Sequence, residues 1–258
     1  MPVIADWPTG ISDVIGPAPD LKRVFDAFAG STDARQRRIA VRAFDACVPA
    51  FLPGDAQPPS PENLIAGLPA DQHAQREEAY RALFARCHRL LSQTRTTLNT
   101  TRLALARDVT NMPPGVRAQE RVLAGETTHL DTLIGAVLGG GDANDLADLA
   151  GISSKLLLSG GRPDATPAAL QYALETDAAL LLASCDLGRD CSAQSLWALQ
   201  LCAGEGRCDG DISSRLVLRN THDGIDATAV DQRRHELVDA IRSGKARKIF
   251  ALPLPRAD

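Results

Sequence analysis

The stretch CDLGRDCSAQSLWALQLCAGEGRCDG, Cys185 to Gly210, places four of the chain's six cysteines in the spacing C-x5-C-x10-C-x5-C. This spacing constrains the local fold more than any other feature. The residues between the two inner cysteines, Ser192 to Ala203, read as a helix. A helix of that length holds Cys191 and Cys202 about 16 Å apart at 1.5 Å rise per residue. A disulfide needs its Cα atoms within about 7 Å, so these two cannot bond. Cys185 ends the preceding helix beside Cys191. The spacing therefore predicts two clasps, Cys185 with Cys191 around Gly188 and Cys202 with Cys208 around Gly204 and Gly206.

Metal and redox chemistry fit the stretch less well. Structural zinc sites supply cysteines as C-x2-4-C knuckles that aim both sulfurs at one ion, whereas both pairs here are separated by five residues and the next histidine is His222. A thioredoxin-like centre needs C-x-x-C after a strand. Neither is present. The other cysteines, Cys47 and Cys87, sit on the apolar stripes of two long helical patterns. They read either as two free core thiols or as a third disulfide closing a long loop, and the sequence leaves that choice open.

Composition points to helices. Only 6 Phe, 2 Trp and 2 Tyr occur in 258 residues, and aromatic and β-branched residues are what strands favour. The formal charge of -4 gives no overall basic field for nucleic acid. The longest apolar runs fall far short of the roughly 20 residues of a membrane span. The N-terminus has no basic n-region and no apolar h-region. Because disulfides persist in oxidising compartments, the expectation is a periplasmic or secreted protein whose leader has been removed, with a cytoplasmic protein as the alternative.

Residues 1–19 contain Pro2, Pro8, Pro17 and Pro19, which predicts an extended lead-in with Trp7 packed on the body. Asp20 then caps a helix to Ala29. A second runs from Ser31 to Val48, with Ala40, Ala43, Phe44, Cys47 and Val48 on one face. A proline-rich linker occupies 51–61. From Asp71 a long helix carries Tyr80, Leu83, Phe84, Cys87, Leu90 and Leu91, and it can extend to the break at Pro113 and Pro114. Further helices are predicted over Val116 to Ala124, Thr127 to Leu138, Asp142 to Ser159, Thr166 to Cys185, Ser192 to Ala203 and Asp226 to Ser243. Turns this short predict antiparallel neighbours. The expected fold is all-α: helical hairpins stacked as an irregular solenoid or bundle and stapled by disulfides. Residues 20–258 form one domain, with subdivision available at 51–61 or 111–115.

The run of helix, Gly-Gly-Asp turn, helix, Gly-rich turn and helix from Leu133 to Cys202 resembles α-solenoid proteins of the Sel1-like and tetratricopeptide-like kind. It also resembles secreted bacterial helical proteins of uncharacterised role that carry a CDLGxxC element before a second cysteine pair. The resemblance implies a binding scaffold without an inherent reaction.

The candidate chemical residues each have a structural reading beside them. Asp142, Asp145 and Asp148 lie three apart at a helix start. They match capping and dipole compensation better than a calcium loop, which needs D-x-D-x-D-G and a returning Glu. Asp177 falls on the stripe Leu170, Ala173, Leu174, Asp177, Leu181, Cys185. A charge there needs a partner, such as a neighbouring helix end, or a raised pKa. Asp177 with Asp142 or Asp145 is the candidate acid–base set. The serines of GISSK and DISSR lack a nucleophile elbow and read as helix caps, and the five histidines are scattered singly. The basic C-terminal stretch from Arg233 to Lys248 reads as solvated surface.

The function expected is non-catalytic: a binding or scaffold protein of the bacterial cell envelope or secreted space, recognising a protein or an envelope component. No cofactor, metal or specific nucleic acid is expected. The alternatives are an all-α envelope hydrolase using paired carboxylates, and an effector or inhibitor acting through a dedicated partner.

Overall fold

A computed structural model describes residues 14–47, 62, 66, 69–91, 100, 104, 114–126, 130–140, 142–154, 166–216 and 224–245. Among the described residues there is no strand, and the protein is all-α and disulfide-bonded. The predicted 51–61 linker, Trp7 and the extended lead-in up to residue 13 lie outside the described residues. Where the lead-in is described, Val14 and Ile15 are helical.

The chain divides into two compact units, one made of Ile11–Met112 with Asp190–Arg215, the other of Met1–Gly10, Pro113–Arg189 and Leu216–Asp258. One division falls at the predicted 111–115 break. The pairing of 190–215 with the N-terminal half has no local sequence signal.

The first unit begins with α1, Leu21–Ala29, capped by the Asp20 carboxylate, which accepts the Lys22 amide at 3.0 Å. Helix α2, Ala34–Asp45, is shorter at both ends than its apolar pattern predicts. A 3-10 turn at Ala70–Gln72 leads into α3, His73–Leu91. The predicted continuation of α3 towards Pro113 falls mostly on residues outside those described. Helix α8, Leu196–Glu205, completes this unit. Its start is later than the sequence predicts because the Ser195 hydroxyl, not Ser192, takes the Ala198 amide as N-cap.

The core of this unit follows from helical spacing. Leu21 and Phe25 of α1 meet Ala40, Ala43 and Phe44 of α2, and the rings of Phe25 and Phe44 lie 6.0 Å apart. Tyr80, Leu83, Cys87 and Leu90 of α3 and Leu196, Leu199 and Cys202 of α8 close it. Leu83 is fully buried, and truncation at such a site costs about 2–5 kcal/mol. The Cys47–Cys87 bond ties the end of α2 to α3 with Cα atoms 5.6 Å apart. It settles the choice the sequence left open. Cys202–Cys208 closes the loop after α8 at 4.3 Å, as predicted. Cys185 and Cys191 are disulfide-bonded too, and no cysteine is free.

The second unit contains α4, Pro114–Leu123; α5, Leu130–Gly140; α6, Ala143–Asp148; α7, Pro167–Asp186; and α9, Ala227–Arg242. Thr166 and Asp226 cap α7 and α9 through their side-chain oxygens. The sequence predicts one helix over 142–159, but α6 stops at Asp148. Gly151 adopts φ +89°, a left-handed conformation that breaks the helix and that glycine adopts without a Cβ penalty; a helical turn resumes at Ile152. Gly115 of α4 also has a specific reason to be glycine. A Cβ there would sit 2.4 Å from the Asp145 carbonyl oxygen and 2.7 Å from the Asp148 Cβ of α6.

Helix α7 is the centre of this unit. Ala173, Glu175 to Leu180 and Leu182 to Ser184 are all buried, so the helix is covered on more than the single stripe its sequence suggests, and apolar residues nearly all round its axis match that position.

Candidate functional site

The buried carboxylate singled out in the sequence, Asp177, faces the helical turn that restarts after Gly151. Its Oδ1 accepts the Ser153 amide at 3.1 Å. Its Oδ2 accepts the Ser154 amide at 3.0 Å and the Ser154 hydroxyl at 2.6 Å. Residue 177 is 8% exposed. Burial pushes this carboxyl above its ordinary value of 3.8, while the Ser154 hydroxyl and the amides of Ser154, Ser153 and Gly151 pull it down. The arrangement is an N-cap supplied from another helix: an acceptor from α7 satisfies amides that have no partner within their own turn.

Chemically, this leaves Asp177 little to do as a base. Each oxygen already accepts at least one hydrogen bond, and the Ser154 hydroxyl that it orients spends its proton on the carboxylate. The Ser153 hydroxyl is buried, and among the described residues it has no hydrogen-bond partner. The serines of GISSK lie at a helical start, but they are the capped residues rather than the caps expected: their amides and the Ser154 hydroxyl donate to Asp177. What the sequence did not show is that Asp177 is their acceptor.

The other two members of the candidate acid–base set lie on α6, which packs against α7. Asp142 is the N-cap of α6 and accepts the Asn144 amide at 2.9 Å and its side-chain amide at 3.2 Å. Asp145 is buried in the first turn of the same helix. The structure therefore gives Asp142 and Asp177 capping roles at two different helix starts.

A third buried acid escaped the sequence reading. Glu175, 7% exposed, accepts from the Arg233 guanidinium of α9 at 3.2 Å and from the Gln171 side-chain amide at 3.1 Å. The Arg233 guanidinium carbon also lies 3.8 Å from the centroid of the Tyr172 ring, a cation–π geometry. The next residue, Arg234, forms a two-pronged pair with Asp186, both contacts at 2.6 Å. Two residues of the predicted solvated basic face thus fasten α9 to α7. Four-residue spacing from Gln171 to Glu175 was readable, but the partners 58 and 48 residues away were not.

The first unit shows the same economy with arginines. Arg76 of α3, on the stripe of Tyr80 and Leu83, donates to the Ala203 carbonyl at 2.9 Å and 3.1 Å and to the Gly204 carbonyl at 2.9 Å. It closes the C-terminus of α8. Arg86 donates to the carbonyls of Ile15, Gly16 and Ala18, and burial lowers its pKa, with Asp190 opposing. Arg215 donates to Cys208 and Gly210 at 2.7 Å and 3.0 Å and to Ala198. Burial lowers its pKa against the opposing charges of Asp209 and Asp211. A guanidinium has five donors in a planar fork, so one side chain can satisfy several orphan carbonyls at a helix end.

Among the described residues, no group of three or more His, Cys, Asp or Glu could hold a metal ion, and no helix is long and apolar enough to cross a membrane.

No protein-family model, curated protein or solved structure matches this chain.

Proposed function

We propose that this is a non-catalytic binding or scaffold protein that works in an oxidising compartment, the periplasm or the extracellular space, and recognises a protein or an envelope component. The observation that carries the reading is the fate of Asp177. The buried carboxylate best placed in the sequence to serve as an acid or base is spent on three donors from Ser153 and Ser154. Asp142 is likewise spent on a helix start. Ionisable side chains whose bonds go to the residues of a helix start serve to hold a shape. A shape held in this way suits recognition.

The compartment half of the proposal rests on the three disulfides, since such bonds form and persist where the surroundings oxidise. Stacked hairpins of the Sel1-like kind would offer an extended concave surface for the partner, and that arrangement belongs to the proposal.

The test uses protein purified from its native cells under thiol alkylation. Mass spectrometry is expected to show six oxidised cysteines, and the eluate a stoichiometric partner that binds again, saturably, after separation. Six free thiols would overturn the compartment. A protein that stays without partner but turns over an envelope polymer, with activity lost in Asp177→Asn, would overturn the binding role in favour of the hydrolase.

A further inference from the structure

We infer that the Cys202–Cys208 disulfide is an exchangeable clasp, which a dithiol reductant opens while the helices around Cys47–Cys87 stay folded. The two bonds belong to one compact unit but sit in opposite surroundings. Cys47 and Cys87 are both 0% exposed and lie in the core between α2 and α3. Cys202 is buried at the end of α8, but Cys208 is only partly buried, in a loop beyond it. Exchange requires a thiolate to reach a sulfur along the S–S axis, so access decides which bond reacts.

The loop around Cys208 is also built to lose its bond without taking the helix with it. The C-terminus of α8 is closed independently of sulfur. The Gly206 amide donates to the Cys202 carbonyl at 2.9 Å and the Arg207 amide to the Leu201 carbonyl at 3.3 Å. Arg76 holds the Ala203 and Gly204 carbonyls. Arg215 holds the Cys208 carbonyl at 2.7 Å. Gly206 and Gly210, at φ +72° and +75°, bound a segment of five residues that the disulfide stiffens. Opening the bond removes that stiffening from the segment beyond Arg207 and leaves two thiols six positions apart.

The chemistry is ordinary exchange. One thiolate of the reductant attacks the Cys208 sulfur, and Cys202 leaves as a thiolate and takes a proton. The second thiolate of the reductant then attacks its own mixed-disulfide sulfur and expels Cys208, which is protonated in turn. The protein gains two electrons and two protons, and the dithiol ends as a disulfide. Any dithiol protein of the thiol–disulfide exchange class can take the same part, which makes the loop a redox-sensitive element.

The full chain, oxidised and without denaturant, is treated with dithiothreitol, quenched with iodoacetamide at intervals and mapped by peptide mass spectrometry. Cys202 and Cys208 are expected to be alkylated while far-ultraviolet circular dichroism is unchanged. Cys47 and Cys87 are expected to react at least about a thousandfold more slowly, because their exposure requires opening of the whole unit. In hydrogen exchange, the amides of residues 208–210 speed up on reduction, while those of Gly206 and Arg207, which close α8, and those of α3 do not. Alkylation of Cys47 and Cys87 on the same time course as Cys202 and Cys208 would overturn the inference. So would a Cys202–Cys208 bond that survives until helicity is lost.

Discussion

The Ser154 hydroxyl lies 2.6 Å from Asp177 Oδ2, and the amide of the same residue lies 3.0 Å from that oxygen. One serine thus gives a buried carboxylate two donors, and a third comes from the Ser153 amide. The bond network ranks three substitutions. Asp177→Ala leaves two amides without acceptors at the start of a helical turn and costs about 2–4 kcal/mol. Ser154→Ala removes one charge-assisted bond and keeps the amides paired, so it costs about 1–2 kcal/mol. Ser153→Ala removes a buried hydroxyl that has no partner among the described residues and stays within about 0.5 kcal/mol of the parent. Urea unfolding of the three variants checks the order. A Ser153→Ala loss as large as that of Ser154→Ala would show that the hydroxyl has work of its own.

Gly115 tests packing between α4 and α6. The Cβ of Gly115→Ala would lie 2.4 Å from a backbone oxygen of α6, and a backbone atom cannot swing away as a side-chain tip can. The two helices must separate, at a cost of about 1–3 kcal/mol typical of overpacking. Gly139→Ala is the control, because nothing lies within 4 Å of its Cβ position; it should be neutral or slightly stabilising, since glycine inside a helix is unfavourable relative to alanine by about 1 kcal/mol. The melting temperature of Gly115→Ala should fall below that of the parent, while that of Gly139→Ala should stay level or rise. Equal melting temperatures would mean that α6 yields freely.

Local patterns carried much of this fold. The stripe Tyr80, Leu83, Cys87, Leu90 is the buried face of α3, and Asp20, Asp142, Thr166 and Asp226 begin the helices they were expected to begin. These features depend on neighbours within about one turn, which a sequence displays directly. The reading of 142–159 as one helix failed at Gly151, where periodicity continued but the backbone turned left-handed. Asp177 stood out because a carboxylate on an apolar stripe breaks a pattern, and the expected partner, a neighbouring helix end, is what it has; which end could not be read, because the Ser153 and Ser154 donors lie more than 20 residues away. Arg76 sat on the α3 stripe for the same reason, to reach carbonyls 127 and 128 residues along the chain. Tertiary hydrogen bonds of this length leave a polar residue in an apolar place and no sign of its partner.

The two cross-links within the first unit differ in what they hold. Cys47–Cys87 joins residues 40 apart and Cys202–Cys208 residues 6 apart. In the chain-entropy model these separations correspond to about 4 and about 2 kcal/mol of restriction on the unfolded chain. The double variant Cys47→Ala/Cys87→Ala should therefore lose about twice as much stability as Cys202→Ala/Cys208→Ala. It also opens a gap in the core, which adds to the difference. Guanidinium unfolding of both, compared with the parent, measures it. Equal losses would mean that the short loop's bond contributes through folded contacts beyond the entropy of its closure.

Acid titration should separate two carboxylates whose pKa values move in opposite directions from 3.8. For Asp20, burial raises the value, but the Arg89 hydrogen bond at 2.7 Å, the Lys22 amide and the Arg89 charge outweigh it, and the net shift is downward. A lowered folded value means that the unfolded chain binds the proton more readily. The stability Asp20 adds is complete above 3.8 and is lost as pH falls through its folded value. For Asp177, burial dominates and the net shift is upward. Between 3.8 and its folded value the native state binds more protons than the unfolded one, so acidification through that window stabilises the protein. The parent's advantage over Asp20→Asn should therefore shrink as pH falls below about 4, while its stability relative to Asp177→Asn should rise as pH falls from 7 towards about 4. Urea unfolding at intervals from neutral pH to about 3 reads both. Two differences that move in the same direction with pH would refute the assignment of opposite shifts.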